Sequence, residues 1–275
     1  MLPKDSMANT LVVSLALCVV CSLLVSTAAV GLKGIQQKNK QLDQQRNILA
    51  AAGLTVDRDG EAITADKMTS KEIEKLFDER VTRKMVDLES GSYVEDPDAS
   101  FDPRKAARDP SENVSVEGPF DIGQANREKK TWVFLVQDGE TVEQYIVPVY
   151  GMGLWSTLYG YVAVDSDFRT IKGLTYYEHA ETPGLGGEVE NPKWKAQWVG
   201  KQIYSEGADV ETASVNDIRV GVAKGSPSGD NAKYMVDGLS GATITSRGVD
   251  SMLKYWFSDE GFGPYFKQLA AQQGA

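Results

Sequence analysis

The longest apolar stretch of the chain lies near its amino terminus. No charged residue occurs from Ser6 to Leu32, and the centre of that window is predominantly apolar. About 20 residues that rise ~1.5 Å each span about 30 Å, the thickness of one hydrocarbon core. The pattern predicts a transmembrane helix over residues 11–31, preceded by a short tail over residues 1–10. The alternative is a cleaved signal peptide, but the apolar region of such a peptide usually has only about 7–15 residues.

Residues 32–130 have a mixed pattern that predicts helices followed by an irregular segment. Residues 33–53 read as a polar helix that continues out of the membrane and ends at a glycine. The segment Thr69 to Glu72 has the spacing of a capping box, and apolar residues follow it at helical spacing, which predicts a short helix near 70–80. Residues 87–130 are rich in Asp, Pro and Ser, which is typical of turns. We therefore expect an extension that packs on a following core.

The pattern changes at residue 131, where strand-like runs begin. Alternating and continuous apolar runs of this length predict strands, and they cover residues 131–137, 144–150, 159–164, 171–177 and 217–222. A helix is predicted from Thr245 onward, and a last short helix over 265–271. Strands and helices in this order indicate an α+β fold with a mainly antiparallel sheet and flanking helices. We assign residues 131–275 to this domain.

Composition narrows the function classes. The formal net charge is −10, and the Lys and Arg residues form no cluster, so binding of nucleic acid by a basic surface is excluded. Cys18 and Cys21 are the two cysteines of the chain, and both lie in the apolar stretch. A disulfide framework and a cysteine-type zinc site in the soluble part are therefore excluded. The two cysteines are read either as plain membrane-helix residues or as a redox pair.

A segment rich in Gly, Ser and Thr runs from Asp237 to Ser246, directly before the predicted helix. One interpretation is a turn and a helix cap without further chemistry. The other is an anion site, because the first N–H groups of a helix are unpaired and bind phosphate readily. In that case Thr243 presents its hydroxyl at the phosphate. The usual glycine-rich nucleotide loops are absent from the sequence.

A second block of motifs lies upstream of that segment. Residues 151–155 read Gly-Met-Gly-Leu-Trp, residues 181–186 read Glu-Thr-Pro-Gly-Leu-Gly, and residues 194–201 begin and end as Trp-Lys and Gly-Lys. Trp155 is read either as a core residue or as an apolar wall for a ligand. His179 is the single histidine, so it cannot form the usual zinc or haem site, and a structural role is favoured. Glu181 is interpreted as a hydrogen-bond acceptor that fixes its loop.

Together these strings resemble those of the membrane-bound FMN-carrying subunits of sodium-translocating NADH:quinone reductases. The resemblance covers roughly residues 8–270. It implies FMN attached to Thr243 through a phosphoester, which a flavin transferase forms. It further implies cofactor-binding roles around that phosphate and around the flavin ring for Asp237, Ser240, Gly241, Ala242, Thr245, Leu154, Trp155, Thr182 and Leu185.

The resemblance also implies a function. In this family the chain is one of six subunits of a membrane complex and relays electrons from NADH toward quinone, while the whole complex exports Na⁺. No catalytic residue and no metal ligand is expected in the chain itself. The FMN subunit of an Rnf-type ferredoxin–NAD complex is the alternative within the family. An anchored binding or scaffold protein without cofactor is the alternative from another class.

Two arguments place the large domain on opposite sides of the membrane. Lys33, Lys38, Lys40 and Arg46 follow the apolar stretch, and the positive-inside rule alone would place the large domain in the cytoplasm. The resemblance instead implies a bacterial inner-membrane protein with a cytoplasmic amino terminus and a periplasmic FMN domain. Since the rule weakens when a long domain is translocated, we expect the second arrangement.

Overall fold

The computed structural model describes residues 7–274, which form two units. The first unit extends to Gln44, and the second begins at Gln45. Residues 1–6 of the predicted tail lie outside the described residues, and residues 7–10 already belong to a helix.

The first unit consists of most of helix α1, Met7–Ala51. Its apolar residues are exposed, and an 18-residue window of the helix is apolar enough to cross a membrane, none of it buried. The predicted span over residues 11–31 lies within this helix. The polar helix predicted over 33–53 as a continuation of the membrane helix is confirmed, since α1 runs without a break to Ala51. A long apolar helix of this kind is consistent with a membrane anchor.

The second unit is built on a five-stranded antiparallel sheet, which confirms the predicted α+β class. Its strands, in their order across the sheet, are β3 (Val81–Asp87), β6 (Lys130–Asp138), β7 (Thr141–Met152), β8 (Thr157–Asp165) and β9 (Ile171–Glu178). Four of the predicted strands are therefore present, each with slightly wider bounds. The remaining strand of the sheet, β3, was not predicted. It is an edge strand from the segment that the sequence assigned to the extension.

Short elements connect and extend this sheet. The small strands pair as β1 (Thr55–Arg58) with β2 (Glu61–Thr64), β4 (Asn113–Ser115) with β5 (Asn126–Glu128), and β10 (Gly221–Val222) with β11 (Met235–Val236). The remaining α-helices are α2 (Ser70–Arg80), α3 (Pro103–Ala106), α4 (Pro192–Ala196), α5 (Thr243–Trp256) and α6 (Gly263–Gly274). The predicted helices near 70–80, from Thr245 and over 265–271 are confirmed as α2, α5 and α6.

The strand predicted over 217–222 is largely wrong. Residues Val215–Asp217 form a turn of 3₁₀ helix, and only Gly221 and Val222 pair as a strand. The Asp217 carboxylate accepts a hydrogen bond of 2.8 Å from the Ser214 N–H. This local bond closes a turn, so the chain bends before it can extend.

Apolar side chains cover both faces of the sheet. Alternate residues of β6, such as Val133 and Leu135, belong to the larger core cluster with α5 and α6. The intervening residues, such as Phe134, belong to a second cluster with Ile48 and Ala51 from the end of α1. Because successive side chains of a strand point to opposite faces, each face of the sheet packs in one of the two clusters. Helix α5, which begins at Thr243, is thereby fixed against β7.

Candidate functional site

Thr243 is the first residue of α5, and its side chain is exposed. In the first turn of the helix, the Ser246 N–H donates to the Ala242 carbonyl over 2.9 Å. The N–H groups of residues 243–245 precede that bond, and at a helix start such groups point outward without an intrahelical partner. The helix dipole adds partial positive charge at the same place. An anion joined to the Thr243 hydroxyl would therefore lie in a favourable field.

Four hydroxyl side chains lie in this segment, and burial distinguishes them. Thr245 is 1% exposed and Ser246 is 8% exposed, and both hydroxyls are engaged in hydrogen bonds. Ser240 and Thr243 are exposed. Of the two threonines of the motif, only Thr243 therefore presents its hydroxyl to a reagent from outside the fold.

The loop before Thr243 is fixed by side chains from elsewhere in the chain. The Leu239 N–H donates to Ser246 Oγ over 3.0 Å. Gln197 binds Asp237 twice, because its Oε1 accepts from the Asp237 N–H at 2.9 Å and its Nε2 donates to the carboxylate at 3.1 Å. Trp194 Nε1–H donates to the Asp237 carbonyl over 2.8 Å. The Asp237 carboxylate thus anchors the loop to the Trp194–Gln197 segment.

Gly241 lets a second loop approach the segment before Thr243. Its φ is +71°, a conformation that favours glycine. A Cβ at this position would lie 2.9 Å from Leu185 Cδ2. The lack of a side chain at Gly241 therefore lets the Thr-Pro-Gly-Leu-Gly loop approach the start of α5.

Glu181 connects three segments of the site. It is 5% exposed, and its Oε1 accepts hydrogen bonds from the Trp155 N–H at 2.8 Å and the Ser156 N–H at 3.3 Å. Its Oε2 accepts from the Thr245 hydroxyl at 2.6 Å. Burial raises the pKa of Glu181, but these hydrogen bonds outweigh it, so the pKa lies below its ordinary value. The predicted role as a loop-fixing acceptor is confirmed, and it extends to three segments.

The loop after Glu181 is closely packed around that carboxylate. The Thr182 carbonyl accepts from the Leu185 N–H at 3.1 Å and the Gly187 N–H at 3.0 Å, which closes a compact turn. A Cβ at Gly186 would lie 2.7 Å from Thr245 Oγ1. Glycine at 186 is therefore required for the contact between this loop and α5. The side chains of Thr182 and Leu185 remain exposed.

His179 has a structural role in this arrangement. Its Nδ1 accepts a hydrogen bond of 3.2 Å from the Glu181 N–H. Its Nε2 lies 3.1 Å from Glu190 Oε1. The imidazole therefore fixes the backbone of Glu181, which agrees with the structural role predicted for His179.

Several large apolar side chains in the segments that meet at the start of α5 are exposed instead of buried. Their exposed fractions are 66% for Trp155, 55% for Ile244, 43% for Leu185 and 41% for Leu154. The core interpretation of Trp155 is therefore wrong, because its backbone is tied to Glu181 in a turn that directs the ring away from the core. Exposed apolar surface of this kind usually marks a place where a ligand or partner binds. We call Leu154, Trp155, Leu185 and Ile244 the apolar rim.

Some members of the site were not among the residues predicted from sequence. Ile244 lies directly before the helix predicted from Thr245, and an apolar residue directly after Thr243 was a usable signal. Trp194 and Gln197 belong to the motif over residues 194–201, but no sequence pattern showed that they bind Asp237, which lies about 40 positions away. Within residues 7–274, the side chains form no group of three or more His, Cys, Asp or Glu that could hold a metal ion.

Comparison with known proteins matches residues 153–258 to the FMN-binding domain family. That range contains the apolar rim, Glu181 and Thr243. The match therefore covers every segment that the geometry brings together around the start of α5.

The chain is also similar to named proteins over nearly its full length. It is 44% identical to the C subunit of the Na(+)-translocating NADH-quinone reductase of Pseudomonas aeruginosa, with 97% of each chain covered. It is 42% identical to the protein of the same name from Haemophilus ducreyi, over 99% of this chain and 98% of that one. Among solved structures, Shewanella oneidensis NqrC matches with a TM-score of 0.71 and 33% identity, over 86% of this chain and 99% of that chain. The chain thus belongs to the family of C subunits of Na(+)-translocating NADH-quinone reductases.

Proposed function

We propose that this chain carries FMN joined to Thr243 by a phosphoester and relays electrons from NADH toward quinone within a Na⁺-exporting complex. Its family membership supports a place in a multisubunit NADH-quinone reductase. The relatives named above from Pseudomonas aeruginosa and Haemophilus ducreyi both bear the quinone reductase name, which favours this complex over the Rnf-type alternative.

The observation that supports the proposal most directly is the position of Thr243. Its exposed hydroxyl lies at a helix start, where phosphate is favoured. The exposed residues of the apolar rim belong to the segments that meet at this helix start. A flavin mononucleotide has a phosphate at one end and a flat, largely apolar ring system at the other. The residues present therefore fit both ends of FMN.

Each part of the site has a task in this proposal. The start of α5 holds the phosphate. Gly241 and Ala242 have small side chains or none, so the phosphate can lie close to the backbone. Trp155, Leu154 and Leu185 provide apolar contact for the ring and reduce its exposure to water. FMN supplies reversible uptake and release of electrons, which protein side chains do not provide at ordinary potentials. The chain's own contribution is therefore attachment, orientation and electrostatics.

Mass spectrometry of the peptide that contains Thr243 tests the attachment. The full chain is produced together with a flavin transferase, as wild type and as the variants Thr243→Val and Thr243→Ser. A phosphoester needs a hydroxyl, so the wild type and the serine variant should contain the mass of FMN on this peptide, and the valine variant should not. Valine has nearly the shape of threonine, so loss of the fold does not explain a negative result. Flavin that remains covalently bound to the valine variant would contradict the proposal.

The partners and the location follow from the family. We infer contacts with the other subunits of a six-subunit complex, with membrane lipid around α1, and with the flavin transferase during maturation. We also infer a cytoplasmic amino terminus and a periplasmic FMN domain in a bacterial inner membrane. Protease added to spheroplasts should digest the domain that begins at Gln45. Full protection of that domain in intact spheroplasts, and digestion only after lysis, would reverse the orientation.

A further inference from the structure

Glu181 is one of two buried carboxylates among residues 7–274, and the other, Glu128, binds Tyr150 elsewhere. The groups that donate hydrogen bonds to the Glu181 carboxylate are neutral, namely backbone N–H groups and the Thr245 hydroxyl. No Lys, Arg or His within residues 7–274 forms an ion pair with it. The hydrogen bonds therefore stabilise a negative charge that has no basic partner among the described residues.

The position of this charge is defined by the groups that it binds. Oε2 binds the hydroxyl of Thr245, two residues after Thr243. Oε1 binds the backbone of Trp155, the most exposed member of the apolar rim. Glu181 itself begins the loop that ends with Leu185 and Gly186. The carboxylate thus contacts both the first turn of α5, which begins at Thr243, and the turn that bears Trp155.

We propose that Glu181 is a positioning residue whose negative charge lowers the reduction potential of the flavin on Thr243. The inference rests on the proposed function. Reduction adds one electron, and hence negative charge, to the ring. A fixed negative charge nearby opposes that addition, more strongly inside a protein than in water. Through its three hydrogen bonds, the same carboxylate fixes the turn at Trp155 and Ser156 relative to α5.

Potentiometric titration of the flavin-loaded full chain in detergent tests the charge. Dithionite supplies the electron through mediators, the ring accepts it, and no bond forms or breaks at Glu181. Glu181→Gln keeps the shape and an oxygen acceptor but removes the charge. Its equilibrium constant for one-electron reduction should rise at least tenfold, which corresponds to about 59 mV for a one-electron couple. Thr245→Val keeps the charge and loses one hydrogen bond, so its constant should stay within about threefold of wild type.

Glu140→Gln is the matched control. It removes the same charge at an exposed position in the turn before β7, at the opposite end of that strand from the site. Its potential should equal that of wild type. If Glu181→Gln has the wild-type potential, or if Glu140→Gln shifts it equally, the inference is wrong.

A second measurement needs no flavin. In the unloaded Thr243→Ala chain, hydrogen exchange reports the Trp155 and Ser156 amides directly. Glu181→Ala should accelerate exchange at these two amides at least tenfold, and Thr245→Ser should leave it unchanged because the hydroxyl is kept. Unchanged exchange in Glu181→Ala would remove the positioning role. If wild type carries no FMN on the Thr243 peptide, the proposed function fails, and this measurement still decides the role of Glu181 in the fold.

Discussion

At the scale of single residues, burial determines which chemistry each side chain can do. Thr243 and Thr245 have the same side chain, yet one is exposed and the other is buried and bound to Glu181. Trp155 and Trp198 have the same ring, yet one is 66% exposed and the other 0%. Residue type therefore sets the chemistry that a side chain offers, and burial decides whether that chemistry is available at the surface.

The two tryptophans provide a paired prediction. Trp198→Ala should destabilise the fold by about 3–5 kcal/mol, as large core truncations do. Trp155→Ala should change the free energy of unfolding by less than about 0.5 kcal/mol, because little of its ring is buried. Denaturant unfolding of the unloaded chain measures both. In the flavin-loaded chain, Trp155→Ala should increase flavin fluorescence, because the flavin ring loses an aromatic neighbour that quenches it. Equal destabilisation by the two variants would contradict the exposed placement of Trp155.

Gly241 leads to a second prediction at this scale. Gly241→Ala must hold an alanine at φ +71° and place its Cβ against Leu185. The left-handed conformation alone costs about 1–2 kcal/mol, and the contact adds to it. Gly139→Ala is the control, because its φ is +59° and nothing lies within 4 Å of an added Cβ.

Denaturant midpoints should therefore fall further for Gly241→Ala than for Gly139→Ala. Adding Leu185→Ala to Gly241→Ala should recover that extra loss, since the two residues are in contact and their effects do not add. If the two glycine variants lose equal stability, the close approach of the loop to α5 is refuted.

At the scale of elements, helix ends are where the sequence specifies structure most directly. Helix α2 begins after Thr69, whose side chain and backbone exchange hydrogen bonds with Glu72. Arg58 also donates to the Glu72 carboxylate, at 2.8 and 2.7 Å. The capping box and the ion pair thus fix the start of this helix and join it to β1.

This arrangement predicts a dependence of stability on pH. Arg58 and Thr69 lower the pKa of Glu72 from 4.5 to about 2. A carboxyl whose pKa is depressed on folding stabilises the fold above its ordinary pKa, and this stabilisation is lost as pH falls through the lower value. Wild type should therefore be more stable than Glu72→Gln at pH 6, and the difference should decline between pH 4.5 and about 2.

Urea unfolding at a series of pH values measures this difference. Glu79→Gln, an exposed glutamate of the same helix, controls for the change in net charge. A difference between wild type and Glu72→Gln that stays constant from about pH 6 to about pH 2 would exclude this linkage.

At the scale of the whole molecule, the chain separates into an exposed apolar helix and a domain with its own core. The last turns of α1 belong to that core, where Ile48 and Leu49 are fully buried. The boundary between the two units therefore falls inside one continuous helix, at Gln44 and Gln45.

Truncation tests this boundary. A chain that begins at Gln45 should fold in water without detergent, since it retains its core and loses the exposed apolar surface. A chain that begins at Leu54 loses Ile48 and Leu49, each worth about 1.5–3 kcal/mol when fully buried. Its melting temperature should be clearly lower. Circular dichroism melts of the two chains make the comparison, and equal melting temperatures would show that the end of α1 adds nothing to the core.

The elements of this fold were largely predictable from sequence because their causes are local. The apolar run predicts α1, alternation predicts β6 to β9, and the spacing of Thr69 and Glu72 predicts α2. The strand expected over 217–222 failed where a local side-chain bond, Asp217 to Ser214, competed with extension. Edge strand β3 was missed because its partner β6 lies about 50 residues away in sequence.

The sequence by itself determined the membrane-length helix, the fold class and the family resemblance, and it singled out Thr243 as the candidate attachment residue. Only the tertiary structure decided that Trp155 is exposed, that Asp237 is held by Gln197, and that Thr245 is bound to Glu181. Glu181 and Thr245 are 64 positions apart. Local pattern specifies how each short segment folds, whereas contacts over such separations exist only after the sheet and α5 have brought the segments together. The motif therefore marks the proposed attachment point, and packing creates its surroundings.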